Sequence, residues 1–172
     1  KTVTVQAGAR WSDIDTVAKK EGLCLKTYPS SKFSTVAGWI STGGYGINSL
    51  QYGHVAKQIS AMTVILPSGE IRKIHPADSD FAYFVSTEAE FGIIIDVTLR
   101  LRDIPEASFP HLFYFDDDAS AFKAIEDFMS NKFSPAVSPN VIRFLDGNHL
   151  HDTNEIVHAN IFKETAAVLI EF

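Results

Sequence analysis

The chain has 172 residues, of which 45% are hydrophobic and 21% charged, and a formal net charge of −6. Length and composition are those of an ordinary globular chain with room for one large domain or two small ones. The acidic balance, with no clustered Lys/Arg, excludes nucleic acid as the main partner; no apolar run reaches the ~20 residues of a transmembrane helix; and the single Cys24 excludes an internal disulfide framework, so a reducing, cytoplasmic setting is expected.

Thr2-Val-Thr-Val-Gln6 alternates as a half-buried strand and ends in a turn at Ala7-Gly8. Ser12 is the predicted N-cap of a helix over residues 13–21, with Ile14, Val17 and Ala18 on its inner face and Gly22 as its stop. A short helix over residues 35–42, then a glycine loop, follows. Residues 59–66 and 70–74 are β-branched runs joined by Pro67-Ser-Gly-Glu70, a hairpin signal. Residues 79–86 read as a short helix with Phe81, Phe84 and Val85 inward. Phe91-Gly-Ile-Ile-Ile-Asp-Val-Thr-Leu-Arg-Leu-Arg102 reads as a long strand, buried at its start and alternating later.

A Pro-rich break, Asp103-Ile-Pro-Glu-Ala-Ser-Phe-Pro110, divides the chain into α+β pieces at 1–103 and 109–172. Beyond it come a strand over 112–115, a helix from Ala119 to about Lys132, a strand over 141–145, a poorly patterned segment and a final strand from Thr165. Asp116, Asp117 and Asp118 sit at the expected helix's positive end, where an acid is favoured by ~0.3 to 1 kcal/mol; they read as a cap and solvated turn. His149-Leu-His151 places two imidazoles on one face if the segment is a strand, yet it carries neither strand alternation nor an acidic fourth ligand, so no metal site is expected. Arg143 sits where a strand could aim it at a carboxylate or turn it outward. Both ends read as the interior of strands, the pattern of a middle piece from a longer polypeptide.

The unusual stretch is Ser34-Thr-Val-Ala-Gly-Trp-Ile-Ser-Thr-Gly-Gly-Tyr-Gly-Ile-Asn-Ser-Leu-Gln-Tyr-Gly53, with five glycines and five Ser/Thr hydroxyls in twenty residues. Glycines permit left-handed backbone and close approach, and exposed N–H groups in such a turn, helped by a helix N-terminus, form a concave anion site. No Lys or Arg lies between Phe33 and Lys57, so an anion held here is held by dipoles and hydrogen bonds, as suits a buried pyrophosphate. The spacing matches neither a P-loop nor a G-x-G-x-x-G turn. A glycine-rich crossing of the chain over itself remains the alternative on composition alone.

Four stretches in order decide further: Ser34 to Gly46, Gln51-Tyr-Gly53, Thr63-Val-Ile-Leu-Pro-Ser-Gly-Glu70 and Phe91-Gly-Ile-Ile-Ile-Asp-Val-Thr-Leu99. Together they resemble the FAD-linked oxidase and dehydrogenase family with a vanillyl-alcohol-oxidase (PCMH) type of flavin domain, in its glycolate oxidase and D-lactate dehydrogenase branch. The resemblance implies the second half of a PCMH-type FAD-binding domain over 1–103, followed by the start of an α+β, ferredoxin-like substrate cap over 109–172. It also implies FAD as cofactor, with Ser30, Thr35, Gly38, Ser41, Thr42, Gly43, Gly44, Tyr45, Gly46 and the main chain of Ile94 around it, and no assigned catalytic residue. The implied reaction is oxidation of a small 2-hydroxy acid or related alcohol by hydride transfer to flavin N5, with the electron acceptor open. The family's first phosphate loop has no counterpart ahead of Thr2. That departure implies either a preceding N-terminal subdomain or a partner chain completing a non-catalytic flavin-fold subunit.

Overall fold

The computed structural model describes residues 1–130 and 139–172; the expected helix end at Lys132 lies outside them. The chain divides into two compact units, Lys1–Glu106 and Ala107–Phe172.

The first unit contains β1 (Thr2–Gln6), α1 (Trp11–Lys20), β2 (Leu23–Cys24), α2 (Val36–Thr42), α3 (Ser49–Tyr52), β3 (Ile59–Ile65), β4 (Ile71–Ile74), β5 (Ile93–Arg100) and β6 (Arg102–Asp103). Its main sheet has the order β1-β5-β3-β4, antiparallel throughout. Register explains why it has one wet and one dry face. Val5, Val97, Met62 and Ile74 lie in one row across the four strands, and the last three are fully buried. Trp11, Ile14 and Ala18 of α1 and Val36 and Ile40 of α2 complete this core, each large apolar side chain contributing ~1.5 to 3 kcal/mol on burial. The hairpin between β3 and β4 turns at Gly69, whose φ of 86° needs glycine.

Four expectations are corrected here. Helix α1 begins at Trp11, with Arg10 as N-cap, not at Asp13 behind Ser12. Its leading amides are satisfied by backbone: Trp11 donates to the Ser34 carbonyl at 3.3 Å and Ser12 to the Lys32 carbonyl at 2.8 Å, so no side-chain cap is needed. The buried face runs through positions 11, 14 and 18, which leaves Val17 57% exposed. The third correction concerns the start of β5, which is not wholly buried: Ile93 is 62% exposed and Ile94 buried, and the later part alternates as expected, with Val97 and Leu99 inward. The expected short helix at 79–86 is a 3₁₀ turn over Phe81–Phe84, with Phe84 and Val85 buried and Phe81 packed partly against the core.

The second unit contains β7 (Pro110–Tyr114), α4 (Asp118–Met129), β8 (Val141–Leu145), α5 (Gly147–Val157) and β9 (Ala167–Glu171). The last strand lies in the middle of an antiparallel β7-β9-β8 sheet. Asp117 caps α4 by accepting from the Ser120 amide at 2.7 Å, and Asp146 caps α5 by accepting from His149 at 2.7 Å. The segment read as poorly patterned is therefore a helix. Its anchor is polar: buried Asn154 accepts from the Ile161 and Phe162 amides and donates to the Phe162 carbonyl.

Candidate functional site

A concave site of about 590 Å³ lies in the first unit. Ala7 and Gly8 of the turn after β1 form one side, and Thr35, Gly38, Ser41 and Thr42 of α2 with its N-cap form another. Glu88, Ala89, Ile93 and Ile94 close it. The sequence supports this shape locally. Helix α2 buries Val36 and Ile40 against the sheet, which leaves positions 35, 38, 41 and 42 on the outer face, and all four are small. A side chain at Gly8 would meet nothing within 4 Å, so that end is open space.

The donors on this wall are uncharged. Thr35 occupies the N-cap with extended backbone (φ −76°, ψ 151°), but its hydroxyl makes no capping bond. Among the described residues, the Thr35 hydroxyl, the Gly38 amide and the Ser41 hydroxyl have no hydrogen-bond partner within the chain. Thr42 differs, since its hydroxyl donates back to the Gly38 carbonyl at 2.9 Å. The first amides of α2 are not free either: Val36 donates to Ala9 at 2.8 Å and Ala37 to Ala7 at 3.2 Å. The anion cradle expected from a helix N-terminus is thus replaced by hydroxyls and one glycine amide along the helix flank. Among the described residues, Glu88 is the one ionisable residue on the wall.

The loop at Glu88 is held against α2 from the other side. The Ser86 amide donates to the Ile40 carbonyl at 2.9 Å and the Glu88 amide to Ser41 at 2.8 Å, which satisfies carbonyls at the helix end. Ser86, Glu88 and Ala89 have φ of 61°, 55° and 65°. Three non-glycine residues in the left-handed region within four positions is strained backbone of the kind that persists where packing over-determines it.

The structure thus brings Thr35, Gly38, Ser41, Thr42 and Ile94 onto one surface and leaves Ser30, Gly43, Gly44, Tyr45 and Gly46 off it. Ser30 is exposed. Gly44, at φ 127°, is buried, and a Cβ there would come within 2.4 Å of His54 Nε2 and 2.7 Å of Val55 Cγ1. At Gly46 a Cβ would meet the Tyr28 carbonyl at 2.3 Å, beside the bridge from Tyr28 to Ile47. The bare backbone expected to admit a ligand at these two positions instead admits the protein's own chain. His54 is half-buried: its Nδ1 accepts from the Ala56 amide at 3.1 Å and its Nε2 lies 3.0 Å from the Gly43 carbonyl. Sequence reasoning missed Glu88, Ala89 and the Gly8 turn, which carry no motif and reach the site only through the fold.

The second unit has its own cavity of about 380 Å³, lined by Leu112, Leu145, Leu169 and Phe162 together with Arg143, His149 and Thr153. Arg143 stands beside Leu169 and Leu112 in the sheet register and, among the described residues, forms no ion pair. His149 and His151 do not share a face. His151 turns away to the Glu164 carboxylate at 3.1 Å, a hydrogen bond that raises its pKa.

Comparison with known proteins agrees with this architecture. Residues 1–75 match the family described as an FAD binding domain, of the PCMH type. The match over residues 1–75 indicates FAD as the cofactor. Among relatives, a D-lactate dehydrogenase of Anaerostipes hadrus is 25% identical over 167 residues, covering 93% of this chain and 34% of that protein. The mitochondrial D-lactate dehydrogenase [cytochrome] 1 of Saccharomyces cerevisiae is 30% identical over 155 residues, covering 85% of this chain and 25% of that protein. A solved structure of alkyldihydroxyacetonephosphate synthase superposes with a TM-score of 0.81 over 99% of this chain and 35% of its own, at 21% identity, which is a likeness of fold. The chain spans about a third or less of the length of these proteins.

Proposed function

We propose that the chain forms part of an FAD-dependent oxidoreductase that oxidises a 2-hydroxy acid or related alcohol. The observation that carries the cofactor side is the set of three unpaired donors, the Thr35 hydroxyl, Gly38 amide and Ser41 hydroxyl, converging on one cavity without a cation. Such a wall suits a ligand whose charge is bound by hydrogen bonds alone, each worth ~1.5 to 3 kcal/mol when its acceptor is charged. Glu88 can accept from hydroxyls but repels phosphate oxygens, so a ribose or ribityl segment belongs at its end and the pyrophosphate at the α2 flank. FAD, when bound, supplies the hydride acceptor at its N5.

On the substrate side, two relatives are named D-lactate dehydrogenases. In the second unit, the Arg143 guanidinium beside Leu112, Leu145 and Leu169 offers a bidentate carboxylate partner next to an apolar floor. That pairing suits a short 2-hydroxy acid. Anaerobic mixing of the FAD-loaded full-length protein with a panel of 2-hydroxy acids tests the reading. Bleaching of the visible flavin bands by at least one of them is expected, and a flavin that no 2-hydroxy acid reduces would overturn it.

A further inference from the structure

One motif that the cofactor cavity does not use is Gln51-Tyr-Gly53, at the end of α3. Four cations gather on it. The Lys26 ammonium lies 5.8 Å from the Tyr52 ring centroid, and the Arg102 guanidinium lies 5.1 Å from the same centroid. Gly53, at φ 72°, lets the Lys57 side chain fold against it: a Cβ there would come 3.0 Å from Lys57 Cδ and 3.1 Å from its Nζ. Arg100 joins by donating to the Lys57 carbonyl at 3.1 Å.

The supports of this group are fixed, but its charge is not neutralised. Thr27 Oγ1 donates to the Gly53 carbonyl at 2.8 Å, Gln58 Nε2 to the Tyr52 carbonyl at 2.8 Å, and Arg102 Nε to the Leu25 carbonyl at 3.4 Å. Among the described residues, none of Lys26, Lys57, Arg100 and Arg102 pairs with a carboxylate. The neighbouring acid, Asp103, is held by Lys1. Elsewhere in this unit cations are paired: Lys19 and Lys32 share Asp15, and Arg72 takes Glu70 and Asp80. The chain has 21 acids against 15 Lys and Arg, so four unpaired cations together run against its composition. Like charges held on one surface repel, and an opposing charged surface relieves them.

The group stands apart from the cofactor cavity. Strand β3 begins at Ile59 opposite Leu99, so the cations lie at the end of the main sheet where β5 finishes. Ile93 and Ile94, which line the cavity, lie where β5 starts. At ~3.3 Å per residue, Arg100 is about 23 Å from Ile93. None of the four cations lines either cavity described above. Lys57 and Arg100 are exposed, and Lys26, Arg102 and Tyr52 half-buried. A tyrosine flanked by arginine on an open face has the composition of an interface hot spot.

We propose that Lys26, Lys57, Arg100 and Arg102, arranged around Tyr52, form a docking surface for an acidic patch on a partner protein. Size favours a protein over a long polyanion. Asp103 keeps an exposed carboxylate at the rim, and the chain as a whole carries a net charge of −6. Both repel a nucleic-acid duplex or an anionic bilayer that extends beyond the four cations, whereas a compact acidic patch meets the cations alone.

The test uses the full-length protein and a dye-labelled octaglutamate peptide, followed by fluorescence anisotropy at about 20 and about 200 mM salt. The parent should bind at the lower salt and lose at least tenfold in affinity at the higher. Lys57→Glu combined with Arg100→Glu should weaken binding at least tenfold. Lys26→Gln should weaken it about threefold and stands as the independent variant if the double variant does not fold. Lys73→Glu, which reverses an exposed cation on β4 outside the group, should stay within twofold of the parent. In the folded variants FAD affinity should also stay within twofold, as the distance to the cavity requires. No peptide binding by the parent at low salt, or an equal loss in Lys73→Glu, would overturn the proposal. Tighter binding of a DNA duplex or of phosphatidylserine vesicles, lost in the same variants, would overturn it too by assigning the surface to another class of partner.

Discussion

The two halves of the glycine-rich stretch are alike in composition and opposite in use. From Thr35 to Thr42 the small residues lie on the outer flank of α2 and leave donors facing an open cavity. From Gly43 to Gly53 they are filled by the protein itself: His54 and Val55 against Gly44, Tyr28 against Gly46, Lys57 against Gly53. A glycine is a permission for close approach, and the sequence does not say what approaches. The fold decides, because α2 has its buried face fixed by Val36 and Ile40 whereas the following turn is enclosed by the His54 and Ser86 segments.

The contrast breaks most readily at Gly44. Gly44→Ala places a Cβ 2.4 Å from His54 Nε2 at φ 127°, so strain and overlap together should cost ~3 kcal/mol or more. The apo protein should melt well below the parent, and a parent-like melting temperature would show that the turn is loosely packed. A smaller effect, on binding alone, is expected in the first half. Thr35→Val keeps the shape and removes a hydroxyl that makes no capping bond. FAD affinity should fall by ~0.5 to 3 kcal/mol in a fluorescence titration, with apo stability unchanged. A drop in melting temperature without a change in affinity would move Thr35 from the site to the scaffold.

The smallest effect belongs to the scaffold away from the site. Burial raises the Asp15 pKa, but hydrogen bonds from Lys32 at 2.8 Å and Lys19 at 3.0 Å outweigh it and hold the carboxyl below its ordinary value. A carboxyl depressed in the folded state stabilises above its unfolded pKa and loses that contribution as pH falls through the folded one. Asp15→Asn should therefore cost ~0.5 to 1 kcal/mol at pH 7, and the difference should narrow in strong acid, as pH falls through the depressed folded value and the parent carboxyl is protonated too. Urea melts at neutral pH and in acid check it; an equal deficit at both would assign the effect to packing.

Much of the fold was legible because apolar periodicity was strong. β3, β4 and their Gly69 turn, α2 and the strand at Val141–Leu145 all stand out in the sequence. What was not legible has physical causes. Trp11 begins α1 because backbone carbonyls of residues 32 and 34 cap it, a long-range fact no local pattern carries. Helix α5 hides because its anchor is Asn154, a polar residue that reads as surface. At the site, the motif marked the right segment but not which glycines face outward. Glu88 and Ala89, in left-handed backbone without glycine, gave no signal at all.

Gly38 offers the most direct measurement. A Cβ there would meet only the rotatable Thr35 hydroxyl at 2.7 Å, and alanine is favoured over glycine in a helix by ~0.8 to 1 kcal/mol. Gly38→Ala in the full-length protein should leave the apo melting temperature equal to the parent's or higher, while the added methyl on the cavity wall weakens FAD at least tenfold by titration. Unchanged FAD affinity in a stably folded Gly38→Ala protein would contradict the claim that this flank of α2 holds the cofactor.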